Sequence, residues 1–279
     1  MSEDAKNMLV SMGFSAERAA AALQECGGSL ENAANLLLSG WEGAHTAGNE
    51  TPSQLPPAEG IVEMLECPLS QYSFDNGKSA CTCIALVAAE KCLQETVGAS
   101  RDAPVLSAEF LQDCILQGIE IFNTMSATNP STEHLSAEEV LQADIFDHLK
   151  LGASGVVQGM LSANGPTSFR AVLPATQSPT QWTCALITKP PETVVCFLPP
   201  TNYRGCDARP FCLVDSHPRQ HLFGAEGSYI RKHSSFEGLI QSLEELFPPT
   251  NLGPEIPELI AASECHLHCV TVSGISCSP

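Results

Sequence analysis

A cysteine at the start of a predicted helix is the first feature of this sequence that could do chemistry. The polar stretch from Gly77 to Ala80 leads directly into Cys81, where an apolar helix is predicted through Thr96. Unpaired backbone N–H groups and the positive end of the helix dipole favour a thiolate there, and the same groups can bind an oxyanion. The pattern therefore predicts Cys81 as a nucleophile. Cys83, which lies deeper in the helix, is the alternative.

A carboxylate and an imidazole follow a later apolar stretch. Asp215 and His217 stand two residues apart at the end of a strand predicted over Pro210–Asp215, so both side chains can lie on one face. A carboxylate beside an imidazole fixes its tautomer and stabilises the imidazolium that partners a thiolate. Each motif alone has another explanation, because a cysteine in an apolar helix is usually a core residue and an Asp-x-His at a strand end is usually a turn.

The order of the two motifs, a cysteine on an early helix and a histidine on a later strand, resembles that of papain-like cysteine peptidases. The Asp-x-His pair resembles the deubiquitinase of herpesvirus large tegument proteins more closely than papain. That family has an upstream amide side chain that helps to bind the oxyanion. The resemblance implies Gln71 in this role, with Asn76 as the next candidate. The other interpretation of Gln71 is a solvated loop glutamine.

Short amphipathic segments make up the first forty residues. One is predicted over Ala16–Glu25, after the loop Met12-Gly13-Phe14, and a Gly-Gly turn separates it from the next. The segment resembles a ubiquitin-associated (UBA) domain, whose loop and third helix bind the apolar patch of ubiquitin. The resemblance implies these ubiquitin contacts: Met12, Gly13, Phe14, Leu37 and Leu38. The alternative is that Met12 and Phe14 only close a small three-helix core.

Composition restricts the partners and the compartment. The formal net charge of −19 over 279 residues argues against nucleic acids and anionic membranes as partners. The longest apolar run, Ala80–Ala89, is too short to span a membrane, and no signal peptide is apparent. The 13 cysteines are odd in number, and many stand in apolar stretches, as reduced buried thiols do. We expect a soluble cytoplasmic or nuclear protein.

No cofactor or metal site is predicted. The cluster from Cys265 to Cys269 contains Cys and His, the residue types that bind metals. Its spacing is too compact for one tetrahedral site, and a second cluster is missing. His221 and His233 stand in polar surroundings and are predicted to be surface residues.

The sequence predicts an α+β fold class: a three-helix UBA bundle, a flexible linker, and a papain-like domain of helices packed on an antiparallel sheet. The predicted boundaries are 1–41 for the UBA domain, 42–60 for the linker, 61–262 for the papain-like domain and 263–279 for an irregular tail. After Cys81–Thr96, three further helices are predicted: one from Ser107, one from Ser136 to about Leu149, and one that starts at Ser234 and ends before Pro248. A low-order segment is predicted over 123–133. The predicted strands are Gln181–Thr188, Thr193–Leu198 and Pro210–Asp215.

The favoured function is that of a ubiquitin-binding cysteine peptidase or isopeptidase, similar to a deubiquitinase. It would cleave after the ubiquitin C-terminus through Cys81, His217 and Asp215, with Gln71 at the oxyanion. The alternative is a non-catalytic ubiquitin-binding adaptor whose large domain is a peptidase-like or unrelated scaffold.

Overall fold

The chain divides into two compact units, Met1–Leu55 and Pro56–Pro279. In this computed structural model, the structure describes residues 5, 6, 9, 16–25, 30, 33, 61–96, 103–128, 134–143, 145, 146, 149–161, 165–205, 210–248 and 269–277. The predicted linker lies outside these residues.

The N-terminal unit has a small helical core. Helix α1, Ala16–Glu25, has the bounds that the periodicity predicts. Its small and apolar side chains share a fully buried cluster with neighbouring residues; the members are Leu9, Ala19, Ala22, Leu23 and Ala33. Alanines at this spacing let short helices pack closely, which is how so small a unit builds a core. The predicted ubiquitin contacts, Met12, Gly13, Phe14, Leu37 and Leu38, lie outside the described residues.

The described part of the second unit is built on a seven-stranded antiparallel sheet. Its strands are β1 (Ile61–Cys67), β2 (Leu149–Met160), β3 (Thr183–Lys189), β4 (Glu192–Leu198), β5 (Phe211–Asp215), β6 (Ser228–His233) and β7 (Cys269–Cys277). Their order across the sheet is β1-β6-β5-β4-β3-β7-β2. The sheet therefore has β1 and β2 at its edges and the hairpin of β3 and β4 near its centre.

Helices cover both faces of this sheet. On one face lie α2 (Cys81–Thr96), α3 (Ala108–Thr128) and α4 (Ala137–Gln142), and on the other α5 (Phe169–Thr176) and α7 (Phe236–Leu246). Helix α6 (Gln220–Phe223) and a 3-10 turn (Gln71–Ser73) are short connections. Side chains of β3 alternate between the two cores, with Leu186 in the first and Ile187 in the second. The predicted α+β class is confirmed.

Two helices start at the predicted serines, whereas the start of a third is displaced by one residue. Ser107 accepts a hydrogen bond from the backbone N–H of Phe110 at 3.2 Å. Ser136 and Glu139 form a capping box, in which the side chain of each accepts a hydrogen bond from the backbone N–H of the other, at 3.2 and 2.8 Å. The start of α7 is capped by Ser235, which accepts from the N–H of Gly238 at 3.1 Å, and not by Ser234.

The predictions of two further helix boundaries were wrong. The helix from Ser136 ends at Gln142, because Leu149 instead begins β2, and β7 supplies that strand with backbone partners. The segment from Asn123 is not of low order up to Thr128, since α3 continues there with one face on the sheet-side core. In both places tertiary packing, and not local composition, determines the secondary structure.

The irregular tail predicted for 263–279 is also wrong over Cys269–Cys277. This segment forms β7, which pairs with β3 on one side and β2 on the other. Val272 and Ile275 are 1% exposed. They reach the two different cores of the sheet, since their side chains belong to different clusters. A strand covered on both faces lacks the regular apolar–polar alternation of a half-exposed strand, so its periodicity was not apparent.

Candidate active site

Cys81 is the first residue of α2, as predicted. A tight turn leads into the helix: Gly77 N–H donates to Phe74 O and Ala80 N–H donates to Gly77 O, both at 3.0 Å. A Cβ at Gly77 would lie 2.2 Å from the carbonyl oxygen of Gln71, so only glycine allows this approach. The turn places the thiol at the helix N-terminus, and α2 packs its apolar side chains on β3 and β4.

The structure brings Asp215 and His217 together at the end of β5. The Nδ1 atom of His217 lies 2.5 Å from Oδ1 of Asp215, and the backbone N–H of His217 donates to the same oxygen at 2.9 Å. Their side chains are at most 2% exposed. This geometry fixes the imidazole tautomer and leaves Nε2 as the ring nitrogen available to a third group.

The other oxygen of Asp215 is held as firmly. Oδ2 accepts from Nε of Arg219 at 2.9 Å and from the hydroxyl of Tyr229 at 3.1 Å. Burial would raise the pKa of Asp215, but the charges of His217 and Arg219 outweigh it and hold that pKa well below its ordinary value. The carboxylate is therefore ionised at neutral pH and can support a positive imidazole.

The surroundings of His217 favour its imidazolium form. Burial alone would lower its pKa, but Asp215 opposes this effect, and so do a hydrogen bond and charge interaction with Cys81. Together they raise the pKa of His217 from 6.5 to about 10. His217 thus interacts with Asp215 on one side and with Cys81 on the other, and this arrangement can hold a proton on the imidazole opposite a thiolate.

The turn between β3 and β4 covers Cys81. Its Sγ donates to the carbonyl oxygen of Pro191 at 3.6 Å, and the residue is only 3% exposed. Cys83 is fully buried, and burial together with Cys81 raises its pKa to about 12. A thiol with that pKa is protonated at neutral pH, so these findings favour Cys81 over Cys83 as the candidate nucleophile.

Gln71 lies between the two predicted motifs. Its side chain donates to the carbonyl of Lys78 and accepts from the hydroxyl of Ser216, both at 3.0 Å, and its backbone N–H donates to Ser216 O at 3.1 Å. At 1% exposure it is not a solvated loop glutamine, so that interpretation was wrong. Asn76 is exposed. A contact of Gln71 with an oxyanion remains a prediction.

Sequence reasoning missed four side chains that surround the triad. Arg219 and Tyr229 bind Asp215, and Glu192 binds Arg219 through both carboxylate oxygens at 3.1 and 2.8 Å. Tyr72 packs edge-on against the ring of His217, with 5.8 Å between ring centroids. Arg219 could have been found from its place four residues after Asp215 in one short polar loop. The others come from distant parts of the chain.

His233 is a surface residue in the sequence-based prediction and a buried one in the structure. It is 0% exposed on β6, and both ring nitrogens lack a hydrogen-bond partner. Burial and the charge of Arg231 lower its pKa to about 4. The polar residues of β6 misled the prediction, because α7 covers that face of the strand. His221 is exposed, as predicted.

Cys265, His266 and His268 lie outside the described residues. Within the described ranges, no cluster of three metal-ligand side chains is found. None of the helices that the structure describes combines the length and the apolar character that crossing a bilayer requires.

Comparison with known families identifies the first unit. Residues 2–37 match the family model described as UBA/TS-N domain. The N-terminal segment is a ubiquitin-associated domain. This UBA domain falls within the predicted range 1–41. No curated protein sequence matches the chain.

Solved structures similar to the chain include two at low sequence identity. One is the ubiquitin-specific protease encoded by a murine cytomegalovirus tegument protein, solved with a ubiquitin-based suicide substrate. Its TM-score is 0.47 at 10% identity, over 78% of this chain and 87% of that chain. The other is the Pseudomonas avirulence protein AvrPphB, with a TM-score of 0.36 at 11% identity, over 74% of this chain and 100% of that chain.

Proposed function

We propose that the chain is a ubiquitin-directed cysteine peptidase or isopeptidase that cleaves after the C-terminal glycine of ubiquitin. The observation that carries the proposal is that His217 lies 2.5 Å from the Asp215 carboxylate and interacts with Cys81, whose thiol stands at a helix N-terminus. Neither a core cysteine nor a simple turn requires three buried ionisable groups to meet in this way.

In the proposed reaction, the Cys81 thiolate attacks the carbonyl carbon, and the oxygen becomes an oxyanion at the N-terminus of α2. His217 then gives its Nε2 proton to the leaving amine as the C–N bond breaks, which leaves a thioester on Cys81. Water attacks the thioester while His217 accepts its proton, and the thiolate departs. Asp215 transfers no proton; it orients His217 and stabilises the imidazolium.

Ubiquitin as the partner is supported by the UBA domain over residues 2–37. A UBA domain that binds ubiquitin on the same chain would raise the local concentration of ubiquitinated substrate at Cys81. Two separate features, a recognition domain and a thiol site, therefore support the proposal of cleavage after the ubiquitin C-terminus.

The proposal is tested with ubiquitin carrying a C-terminal propargylamide, which traps a nucleophilic cysteine. We expect the full chain to form one covalent adduct on Cys81, and Cys81→Ala and His217→Ala to form none. Cys83→Ala is the matched control, because Cys83 belongs to the same helix, and it should still react. An adduct that survives Cys81→Ala, or no adduct with a folded wild-type chain, would overturn the proposal.

One observation favours the second candidate, a non-catalytic ubiquitin-binding adaptor. The carbonyl oxygen of Pro191 accepts a hydrogen bond from the thiol of Cys81. A substrate carbonyl would have to displace the Pro191 carbonyl to reach the thiol. If the turn never moves, the thiol stays covered. In that case the chain would bind ubiquitin through its UBA domain while the propargylamide probe leaves every cysteine unmodified.

A further inference from the structure

Three consecutive residues, at the turn before β4 and at its start, contact either Cys81 or side chains next to the candidate catalytic groups. The carbonyl of Pro191 accepts from Cys81 Sγ at 3.6 Å. Glu192 forms two bonds with Arg219, and the hydroxyl of Thr193 lies 3.0 Å from that of Thr82, the residue after Cys81. The position of this turn is therefore connected to both halves of the site.

Arg219 joins the turn to the Asp215–His217 pair. Its Nε donates to Asp215 at 2.9 Å, while Nη1 and Nη2 donate to Glu192 at 3.1 and 2.8 Å. All three nitrogens of the guanidinium are thus used, on two carboxylates from different elements. The side chain of Arg219 is 14% exposed and that of Glu192 27%, so solvent screens this arrangement only in part.

The backbone of Arg219 is fixed as well. Its N–H donates to the carbonyl of Ala225 at 2.8 Å, and the two residues form an isolated bridge across the loop that contains α6. The donors of a planar guanidinium have fixed directions, so two carboxylates that bind it are held in a defined relative position. A flexible ammonium group would fix that position less well.

We propose that Arg219 is a positioning residue that couples the Asp215–His217 pair to the turn on Cys81, and that Glu192 is the side chain through which it does so. The inference rests on the proposed role of Cys81 as a nucleophile. Arg219 itself touches no reacting atom. It sets where the Pro191 carbonyl lies relative to the thiol, and it neutralises a carboxylate that would otherwise disfavour the thiolate.

The neutralising role has a specific consequence. Burial raises the pKa of Tyr72 most. Glu192 and Cys81 raise it further, while Arg219 lowers it, so all three of these groups act on one small region. Without Arg219, the carboxylate of Glu192 would be an unpaired negative charge in that region. Removing the glutamate as well should then restore part of the reactivity that loss of the arginine takes away.

The experiment measures the rate at which iodoacetamide alkylates Cys81, followed by mass spectrometry of the full chain. Four variants are compared with wild type: Arg219→Gln, Glu192→Gln, the double variant, and Arg219→Lys. Arg170→Gln is the matched control, because Arg170 also forms a paired contact with a glutamate, Glu237, but on helices α5 and α7. Thermal unfolding of each variant shows whether it is folded.

We expect Arg219→Gln to slow alkylation about tenfold, the change that follows from losing one charge-assisted hydrogen-bond set. Glu192→Gln alone should slow it less, the double variant should react faster than Arg219→Gln, and Arg219→Lys should recover part of the rate. The Arg170→Gln control should match wild type. If Arg219 and Glu192 had only a structural role, the reductions in alkylation rate caused by Arg219→Gln and Glu192→Gln should instead multiply in the double variant.

The inference would be overturned if the reductions in alkylation rate of the two single variants multiply in the double variant. It would also be overturned if Arg219→Gln reacts as fast as Arg170→Gln. If Arg219→Gln does not fold, the test depends on Glu192→Gln alone. A rate of Cys81 alkylation equal to that of wild type in this variant would then contradict the coupling. Because alkylation needs no ubiquitin, the two proposals fail separately. A chain that shows this pattern but ignores the ubiquitin probe refutes the proposed function and leaves the coupling intact.

Discussion

Asp215→Ala should destabilise the second unit strongly, because this carboxylate has partners on every side. Its oxygens accept hydrogen bonds from two nitrogens of His217, from Arg219 and from Tyr229, and the side chain is 0% exposed. Alanine would leave the imidazolium of His217 buried without its anion, while Arg219 would keep only its pair with Glu192. The change therefore tests whether the network is a real feature of the fold.

The magnitude follows from the histidine. Raising the pKa of His217 from 6.5 to about 10 corresponds to about 5 kcal/mol at about 1.36 kcal/mol per pH unit. Removing one partner of a buried ion pair costs about 3–5 kcal/mol in other proteins. We expect a loss of about 3–5 kcal/mol in the free energy of unfolding, or roughly 10 °C in Tm for a unit of this size.

The loss should depend on pH in a defined direction. The folded pKa of His217 is raised, so its stabilising contribution is fully present below the unfolded pKa of about 6.5 and disappears as pH rises through about 10. The difference between wild type and Asp215→Ala should therefore shrink between those two values. Urea unfolding monitored by circular dichroism at pH 6, 8 and 10 would measure it.

Asp113→Ala is the control, since the side chain of Asp113 is 64% exposed and its pair with Lys91 spans 3.8 Å. Exposed pairs contribute about 0–1 kcal/mol. If Asp215→Ala lost no more stability than Asp113→Ala, or if its effect were the same at pH 6 and pH 10, the reasoning about the buried network would be refuted.

Three further predictions concern other parts of the chain. His233→Leu should remove a loss of about 3 kcal/mol that wild type shows between pH 6.5 and 4 in urea unfolding, because the unfolded imidazole binds a proton that the buried one, with a pKa of about 4, resists. Gly77→Ala should lower Tm and slow alkylation of Cys81, because its Cβ would lie 2.2 Å from the carbonyl oxygen of Gln71. Residues 1–45 should bind ubiquitin with about −5 to −6 kcal/mol, and Phe14→Ala should weaken the binding in chemical-shift titrations.

Each of these has a result that would contradict it. If His233→Leu lost as much stability as wild type between pH 6.5 and 4, water or a neighbouring group would have to satisfy the imidazole of wild type. A wild-type Tm for Gly77→Ala would show that the turn before α2 moves aside. Unaltered ubiquitin binding by a folded Phe14→Ala segment would exclude this loop as a contact.

Local sequence signals predicted the parts of the site that local physics determines. The bounds of α2 were predictable because a polar loop meets a long apolar run, and the pairing of Asp215 with His217 follows from two-residue spacing alone. Gln71 was named through resemblance, whereas its burial depends on Ser216 and Lys78, which only the folded chain brings near.

What the sequence did not predict depends on distant partners. The ion pair of Glu192 with Arg219 joins residues from different elements, and nothing in either local segment indicates the other. Strands β2 and β7 have little intrinsic signal, because each is stabilised by the ladder it forms with the other. His233 was misread because composition alone does not show which face of β6 a helix covers.

The placement of β7 between β3 and β2 affects how the domain can fold. Leu149 of β2 pairs with Cys277 of β7, so the chain must close a loop of about 130 residues before this ladder exists. Until β7 has left the ribosome, β2 has no strand to pair with, and its Leu151 and Val156 stay beside open backbone groups. That interval is when an unpaired edge is most prone to aggregate. The helix that carries Cys81, by contrast, is synthesised early and can pack on α3 long before the sheet is complete.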